Sequence, residues 1–364
     1  MKEQQLPKYM QLKQEIISWI GAGQYKPGDQ LPSENEITEQ FQISRQTVRQ
    51  ALGELVQEGW LYRMHGKGTF IAERTLTTES SADLPKTIGL ITTYISDYIF
   101  PSIVRGVEST LRERGYRLLL SSTDNQKEKE RESLDMMMSQ AISGLIIEPT
   151  KSAEGNPNYH YYLSLDNRRI PYLMINERYG DLECPYLKLD DEAGGDLAAE
   201  HLLGLGHRRI MGLFKTDDLQ GVQRMKGFVR AHRRLGLEVS PHGVHRYSTE
   251  DKYEGPKNAL RHALASEEPP TALVCYNDEL AVHLLDVIRE KGLKVPEDIS
   301  IVGFDDSSYA TATEVKLTTV SHPKAELGVQ AAEMMLSMIE HGKISIDRAI
   351  FPPTLVIRES TIRA

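Results

Sequence analysis

The sequence predicts a multi-domain chain, an α+β winged helix-turn-helix followed by a larger α/β domain of two similar lobes. Three features carry this. The stretch SRQTVRQALGELV (residues 44–56) sets Val48, Ala51, Leu52, Leu55 and Val56 on one helical stripe. A polar, Ser/Thr-rich run, ERTLTTESSADLPK (73–86), has no apolar periodicity and reads as a linker. Beyond it, buried-strand and amphipathic-helix patterns alternate twice over. The expected domains are therefore 1–72, a linker at 73–86, and 87–364.

In the first domain, residues 6–20 form a helix burying Tyr9, Leu12, Ile16, Trp19 and Ile20, with Lys8 at its start. A loop with Pro27-Gly28 follows. Ser33 and Glu36 make a capping box that opens a helix to about Phe41. Three residues later Ser44 caps the next helix, with Thr47 in its first turn. Two short helices across a tight turn make a helix-turn-helix. Strand-prone runs at 61–64 and 69–72, joined by His65-Gly66-Lys67-Gly68, form a hairpin wing with a basic tip. The face opposite the apolar stripe carries Arg45, Gln46, Arg49 and Gln50, side chains suited to base edges in a major groove.

In the second domain, strands are expected at 87–92, 116–122, 144–147 and 172–175, with helices at 100–115 and 127–140. A second set follows: helices at 191–204, 221–235, 257–265 and 279–291, and strands at 209–214, 272–276 and 299–304. Residues 317–320, a long helix from Lys324 to about His341, and a last strand pair near Ile350 and 355–357 complete the chain. Duplicated α/β lobes place a ligand cleft at their strand C-termini.

At 364 residues and 40% apolar content, the chain has material for two or three domains. Its net charge of −9 is uneven: residues 1–74 hold nine Lys+Arg and nine Asp+Glu, so the deficit lies wholly beyond them. A neutral DNA-binding head must work by local placement of cations, and an acidic body favours sequence-specific binding over coating of DNA. Cys184 and Cys275 lack metal or redox spacing and read as buried apolar groups of a reducing compartment. With neither a signal core nor an apolar span, a cytoplasmic protein is expected.

The run from Leu31 to Ile71, LPSENEITEQFQISRQTVRQALGELVQEGWLYRMHGKGTFI, resembles the DNA-binding domain of the GntR family of bacterial regulators. Residues 86–358 resemble the LacI/GalR family's sugar-binding core, itself periplasmic-binding-protein-like. TIGLIT, HLLGLGHRRIMGLF, GVQRMKGF, ALVCYNDELAV, VPEDISIVGFDDS and LTTVSHPKAELG carry that likeness. It implies final strands that cross back between the lobes. The pairing of head and body, with ITTYISDYIFPSIVRGVES, resembles the bacterial L-arabinose-responsive repressors. One departure is that the LacI family's own helix-turn-helix and hinge helix are missing, so hinge-driven kinking of DNA is not carried over.

The reading that results is a homodimeric repressor whose two heads bind a near-palindromic operator and whose effector is L-arabinose, without a cofactor or metal. Arg45 and Arg49 contact bases, with Gln46 assisting. Lys8, Ser33, Glu34, Ser44, Thr47 and the wing residues His65, Gly66, Lys67, Gly68 and Thr69 fix backbone register or reach the minor groove. Glu34 either accepts from a cytosine or holds the arginines. Effector candidates follow strand ends: Tyr94, Asp97 and Tyr98; Glu148; Asn176 and Arg178; and Lys215. By the resemblance, Arg224 matches the family's RxxGF arginine, Asn277 its ND asparagine and Asp305 the first aspartate of GFDD. His322 is a lesser candidate. Asp278 is expected to cap the helix from Glu279, and Asp306 to be structural.

An enzyme would need Asp305-Asp306 or Asn277-Asp278 as acid/base pairs. No metal spacing, P-loop or dinucleotide fingerprint accompanies them, so the chain reads as a non-enzyme. A corepressor-type regulator, one responding to another sugar, and an intracellular sugar-binding protein with a vestigial head are the alternatives. The intact SRQTVRQ and GKGTF elements oppose the last.

Overall fold

The computed structural model describes residues 8–21, 24–57, 60–64, 68–72, 86–96, 98–240, 243–341 and 348–364. The expected linker, save Lys86, lies outside them, as do His65, Gly66, Lys67 and Asp97. The chain divides into two compact units, 1–84 and 85–364.

In the first unit, α1 (Lys8–Gly21), α2 (Glu34–Phe41) and α3 (Arg45–Gln57) precede an antiparallel hairpin of β1 (Leu61–Met64) and β2 (Gly68–Ile71). Its core is the predicted stripe: Val48, Ala51, Leu52 and Leu55 are buried against Leu12 and Ile16 of α1 and Ile37 of α2. Leu61 and Ile71 close it from the hairpin. The Ser33 capping box forms with both of its hydrogen bonds, and Gln42 ends α2 in a left-handed conformation at φ 50°. These local devices, rather than length, stabilise an eight-residue helix.

The second unit opens with β3 (Thr87–Thr92), α4 (Phe100–Glu113), β4 (Arg117–Ser122), α5 (Lys127–Ser139), β5 (Gly144–Ile147), α6 (Tyr159–Asn167), β6 (Tyr172–Ile175) and β7 (Tyr186–Leu189). The chain then passes to the second lobe: α7 (Asp191–Gly204), β8 (Ile210–Lys215), α8 (Leu219–Arg234), β9 (Val244–Tyr247), α9 (Glu254–Leu264), β10 (Ala272–Cys275), α10 (Asp278–Glu290), β11 (Ser300–Asp305), α11 (Ser308–Ala312) and β12 (Thr318–Ser321). Last come α12 (Lys324–His341), β13 (Arg348–Phe351) and β14 (Leu355–Val356).

Each lobe holds one six-stranded sheet. The first has order β13-β7-β6-β5-β3-β4 and is parallel throughout; the second, β14-β12-β11-β10-β8-β9, is parallel except for β14. The last two strands are therefore not a pair, as the sequence pattern suggested, since β13 extends the first sheet and β14 the second. Helix α12 likewise crosses back, burying Leu327, Ala331, Ala332 and Met335 with Ile103, Val107 and Leu111 of α4. Four elements were missed from sequence, among them the five-residue α11. Helix α6 is rich in tyrosine, a weak helix former, β7 spans only four residues, and β9 is a half-exposed edge strand.

Cys184 and Cys275 are buried free thiols. Among the described residues no helix is long and apolar enough to cross a membrane.

Helices α7 and α8 approach through glycines. A Cβ on Gly195 would lie 2.0 Å from the Arg224 carbonyl oxygen, and one on Gly227 would lie 2.0 Å from that of Glu192. Backbone cannot yield as a flexible side chain does, so Gly227→Ala should destabilise the unit by about 2 kcal/mol or more. A denaturant midpoint equal to that of the parent chain would contradict this packing.

Candidate functional site

In the first unit, α3 presents Arg45 and Arg49 with 60% and 63% of their side chains exposed. Both converge on Glu34 of α2, which is 24% exposed. Arg49 Nε donates to Glu34 Oε2 at 2.9 Å, Arg45 Nε lies 3.5 Å from the same oxygen, and Arg63 Nη2 of β1 lies 3.9 Å from Oε1. Burial pushes the Glu34 carboxyl up, but Arg49, then Arg45 and Arg63, outweigh it and hold it below the usual range. Sequence reasoning missed Arg63, whose signal was its place on the wing strand opposite Thr69.

Lys8 is exposed at the start of α1, Gln46 is exposed on α3 beside Arg45, and Gly68 and Thr69 begin the second wing strand. The Ser33 and Ser44 hydroxyls are occupied as caps, Ser33 Oγ accepting from Glu36 N at 3.3 Å and Ser44 Oγ from Thr47 N at 3.1 Å. Four cations, Lys8 on α1, Arg45 and Arg49 on α3 and Arg63 on the hairpin, can grip phosphates and base edges, with Glu34 of α2 set among the three arginines.

In the second unit, a cavity of about 140 Å³ lies between the lobes at their strand C-termini. Its second-lobe floor is Arg224, fully buried on α8. Arg224 Nε donates to Asp191 Oδ1 at 2.7 Å, Nη1 to the Tyr276 carbonyl at 2.6 Å, and Nη2 to Asp305 Oδ1 at 3.4 Å. The guanidinium lies 3.5 Å from the centre of the Phe304 ring. Burial alone would lower its proton affinity, but Asp191 and Asp305 reverse that and keep it cationic. Lys215 Nζ pairs with Asp218 Oδ2 at 3.0 Å, while Tyr276 donates its hydroxyl to the same oxygen at 2.8 Å.

The first lobe supplies Tyr94, Tyr98 and Glu148. Tyr98, itself left-handed at φ 63°, donates to Asp305 Oδ2 at 2.7 Å and accepts from Asp278 N at 3.1 Å, so one phenol spans the cleft. Glu148 Oε2 accepts from Thr93 N and Oγ1 at 2.8 and 2.6 Å, and Oε1 accepts from Asn176 Nδ2 at 2.7 Å. That fixes the Asn176 amide, so its Oδ1 faces His322 Nε2 at 3.2 Å, and Nε2 carries the hydrogen. His322 Nδ1 is buried without a partner among the described residues.

The structure therefore brings Tyr94, Tyr98, Glu148, Lys215, Arg224, Asn277, Asp305 and His322 to one cavity. Two candidates stand elsewhere. Asn176 does not line the cavity and acts on it through Glu148 and His322. Arg178 lies over the Tyr186 ring, 5.3 Å from its centre, because that face offers a cation–π seat outside the cleft. The ND pair is also reversed. Asn277 caps α10 by accepting from Leu280 N at 2.9 Å, and Asp278 is buried instead, accepting from Ser307 N at 2.7 Å and Thr319 Oγ1 at 2.6 Å. Asp306 is structural, its Oδ1 accepting from Arg358 Nη2 at 2.6 Å. Lys252 and Tyr253 in the turn before α9, and Glu279 and His283 on α10, also line the cavity but were missed, since neither place carries a cleft signal in sequence.

Comparison with known proteins follows the two units. Residues 8–71 match the model for bacterial regulatory proteins of the gntR family, and residues 199–361 that for a periplasmic binding protein-like domain. The chain is 59% identical to an arabinose metabolism transcriptional repressor of Geobacillus stearothermophilus over 99% of each protein. It is 48% identical to the repressor of that name in Halalkalibacterium halodurans, over 98% of this chain and 97% of the relative. Among solved structures, a LacI family transcriptional regulator from Enterococcus faecium with bound ribose aligns with TM-score 0.65 and 26% identity, covering 76% of this chain and 99% of that one.

His322 yields a pH prediction. Burial, with Lys324 and Arg224 nearby, pushes its imidazole down from 6.5 to about 4. Between these values the unfolded chain binds more protons, so His322's contribution is present above 6.5 and is lost as pH falls toward about 4. His322→Gln should flatten the decline of the unfolding free energy over that window by up to one proton. Equal slopes in the two proteins would contradict a buried neutral imidazole.

Proposed function

The chain belongs to the arabinose metabolism transcriptional repressors, and from that premise we propose that it silences L-arabinose utilisation genes by binding operator DNA and leaves the operator when L-arabinose fills the cavity. It is a regulator and not an enzyme. The observation that carries the effector reading is that the cavity's charges are mostly paired within the protein. Lys215, Arg224 and Lys252 stand against Glu148, Asp218, Glu279 and Asp305, most of them already paired within the protein. Such a site suits a neutral ligand with many hydroxyls, which can bridge donors and acceptors without bringing a charge of its own. The rings of Tyr94 and Tyr98 supply apolar faces, and Asn277 Nδ2 and the free edge of Arg224 supply donors.

In this reading the protein acts in the cytoplasm as a homodimer. Each head lays α3 in one half-site of a near-palindromic operator. Arg45 and Arg49 read bases, with Gln46 beside them. Lys8, Ser33, Ser44, Thr47 and the wing hold the backbone, and Glu34 orients the arginines. Sugar favours the lobe arrangement in which Tyr98 meets Asp305, and that arrangement binds the operator more weakly.

Fluorescence anisotropy of an operator duplex at fixed salt tests this. L-Arabinose should release the DNA. Arg45→Ala should weaken specific binding by about 1–3 kcal/mol and leave sugar binding intact. Asp305→Ala should bind operator yet ignore the sugar. Tighter DNA binding with L-arabinose would mean a corepressor, and no response to it would break the effector assignment.

A further inference from the structure

Lys324 is not among the residues lining the cavity, yet it grips the turn that delivers Asp305 to it. Strand β11 ends at Asp305 with φ 91°, and Asp306 follows with φ 46°. Two consecutive non-glycine residues in the left-handed region are unfavourable, and persist only where the surroundings hold them. Glycine would relieve both positions, but glycine carries no carboxylate, and here both carboxylates are used. Asp305 meets Tyr98 and Arg224, and Asp306 meets Arg358.

The backward-turned carbonyls converge on one point, and a cation occupies it. Lys324 Nζ donates to the carbonyl oxygen of Asp305 at 2.6 Å, of Asp306 at 2.8 Å and of His322 at 3.2 Å. An ammonium has three hydrogens and accepts none, so the group is fully spent on backbone and has nothing left for a ligand. It is also the first residue of α12, whose buried face packs on α4 of the first lobe.

Building on the reading of the cavity as a sugar site, we propose that Lys324 is its positioning residue, fixing the Asp305–Asp306 turn so that the Asp305 carboxylate meets the sugar. Through the same three bonds it ties that turn to the start of α12. On the sugar Lys324 acts through Asp305, so its removal should weaken binding chiefly while the carboxylate is present.

Calorimetry of L-arabinose binding to the full chain tests this with a double-mutant cycle of Lys324→Met and Asp305→Asn. Lys324→Met alone should weaken sugar binding on the order of tenfold, and should add little once Asp305→Asn is in place. Additive losses, or unchanged affinity in Lys324→Met, would overturn the assignment. Lys324→Gln, which keeps a donor on a similar stem, should fall between and carries the same cycle if Lys324→Met does not fold. Should the parent chain itself not bind L-arabinose, the sugar reading falls first. Amide exchange at residues 305–307 then decides the turn alone, and unchanged rates in Lys324→Met would overturn its role there as well.

Discussion

The second unit depends on one buried cation. Arg224 is buried, so its guanidinium must find its partners in the protein or in a ligand of the cavity. Asp191 from the start of α7, the Tyr276 carbonyl at the end of β10 and Asp305 at the end of β11 each take one direction. Those partners come from three separate elements, and the glycine-mediated approach of α7 to α8 sets the distance between them. Removing one partner of such a pair typically costs about 3–5 kcal/mol, because the other charge is left buried and uncompensated. Asp305, itself buried, is the end of the network toward the cleft.

Asp305 is also where the two lobes meet. Its second oxygen takes the Tyr98 hydroxyl, and the neighbouring Phe304 carbonyl lies 2.9 Å from the same phenol. A carboxylate shared between a floor arginine and a phenol from the opposite lobe makes the state of the cleft depend on what sits beside it. The proposed release from DNA needs such a two-state element, since a ligand shifts an equilibrium only by its difference in affinity for the two states. In the head the logic is simpler: Glu34 is a fixed acceptor around which Arg45, Arg49 and Arg63 gather before DNA is met.

Legibility in the sequence follows the range of the forces. The head was readable nearly to the residue, because its capping box, α3 stripe and hairpin are local patterns whose burial matches their period. The alternation of the body was readable for the same reason, whereas β13 and β14 were not separable, since which sheet a short strand joins is decided by partners far away in the chain. At the cavity, position after a strand end found Glu148 and Lys215, and the family likeness Asp305, but neither could tell Asn277 from Asp278. Both suit a cap, and only the buried hydroxyls of Ser307 and Thr319 make Asp278 the structural one. Arg178 failed because the face of the buried Tyr186 ring takes its guanidinium instead. Lys324 gave no sign at all, being one lysine at a helix start until the carbonyls that it gathers are seen together.

The central claim is that sugar and operator compete through the state of the lobes. Calorimetry of L-arabinose binding to the full-length chain, alone and saturated with operator duplex, measures it most directly. Linkage requires operator to weaken sugar binding by the same factor by which sugar weakens operator binding. A matching loss of affinity in the operator complex is the predicted result, and equal affinity in the two states would contradict it.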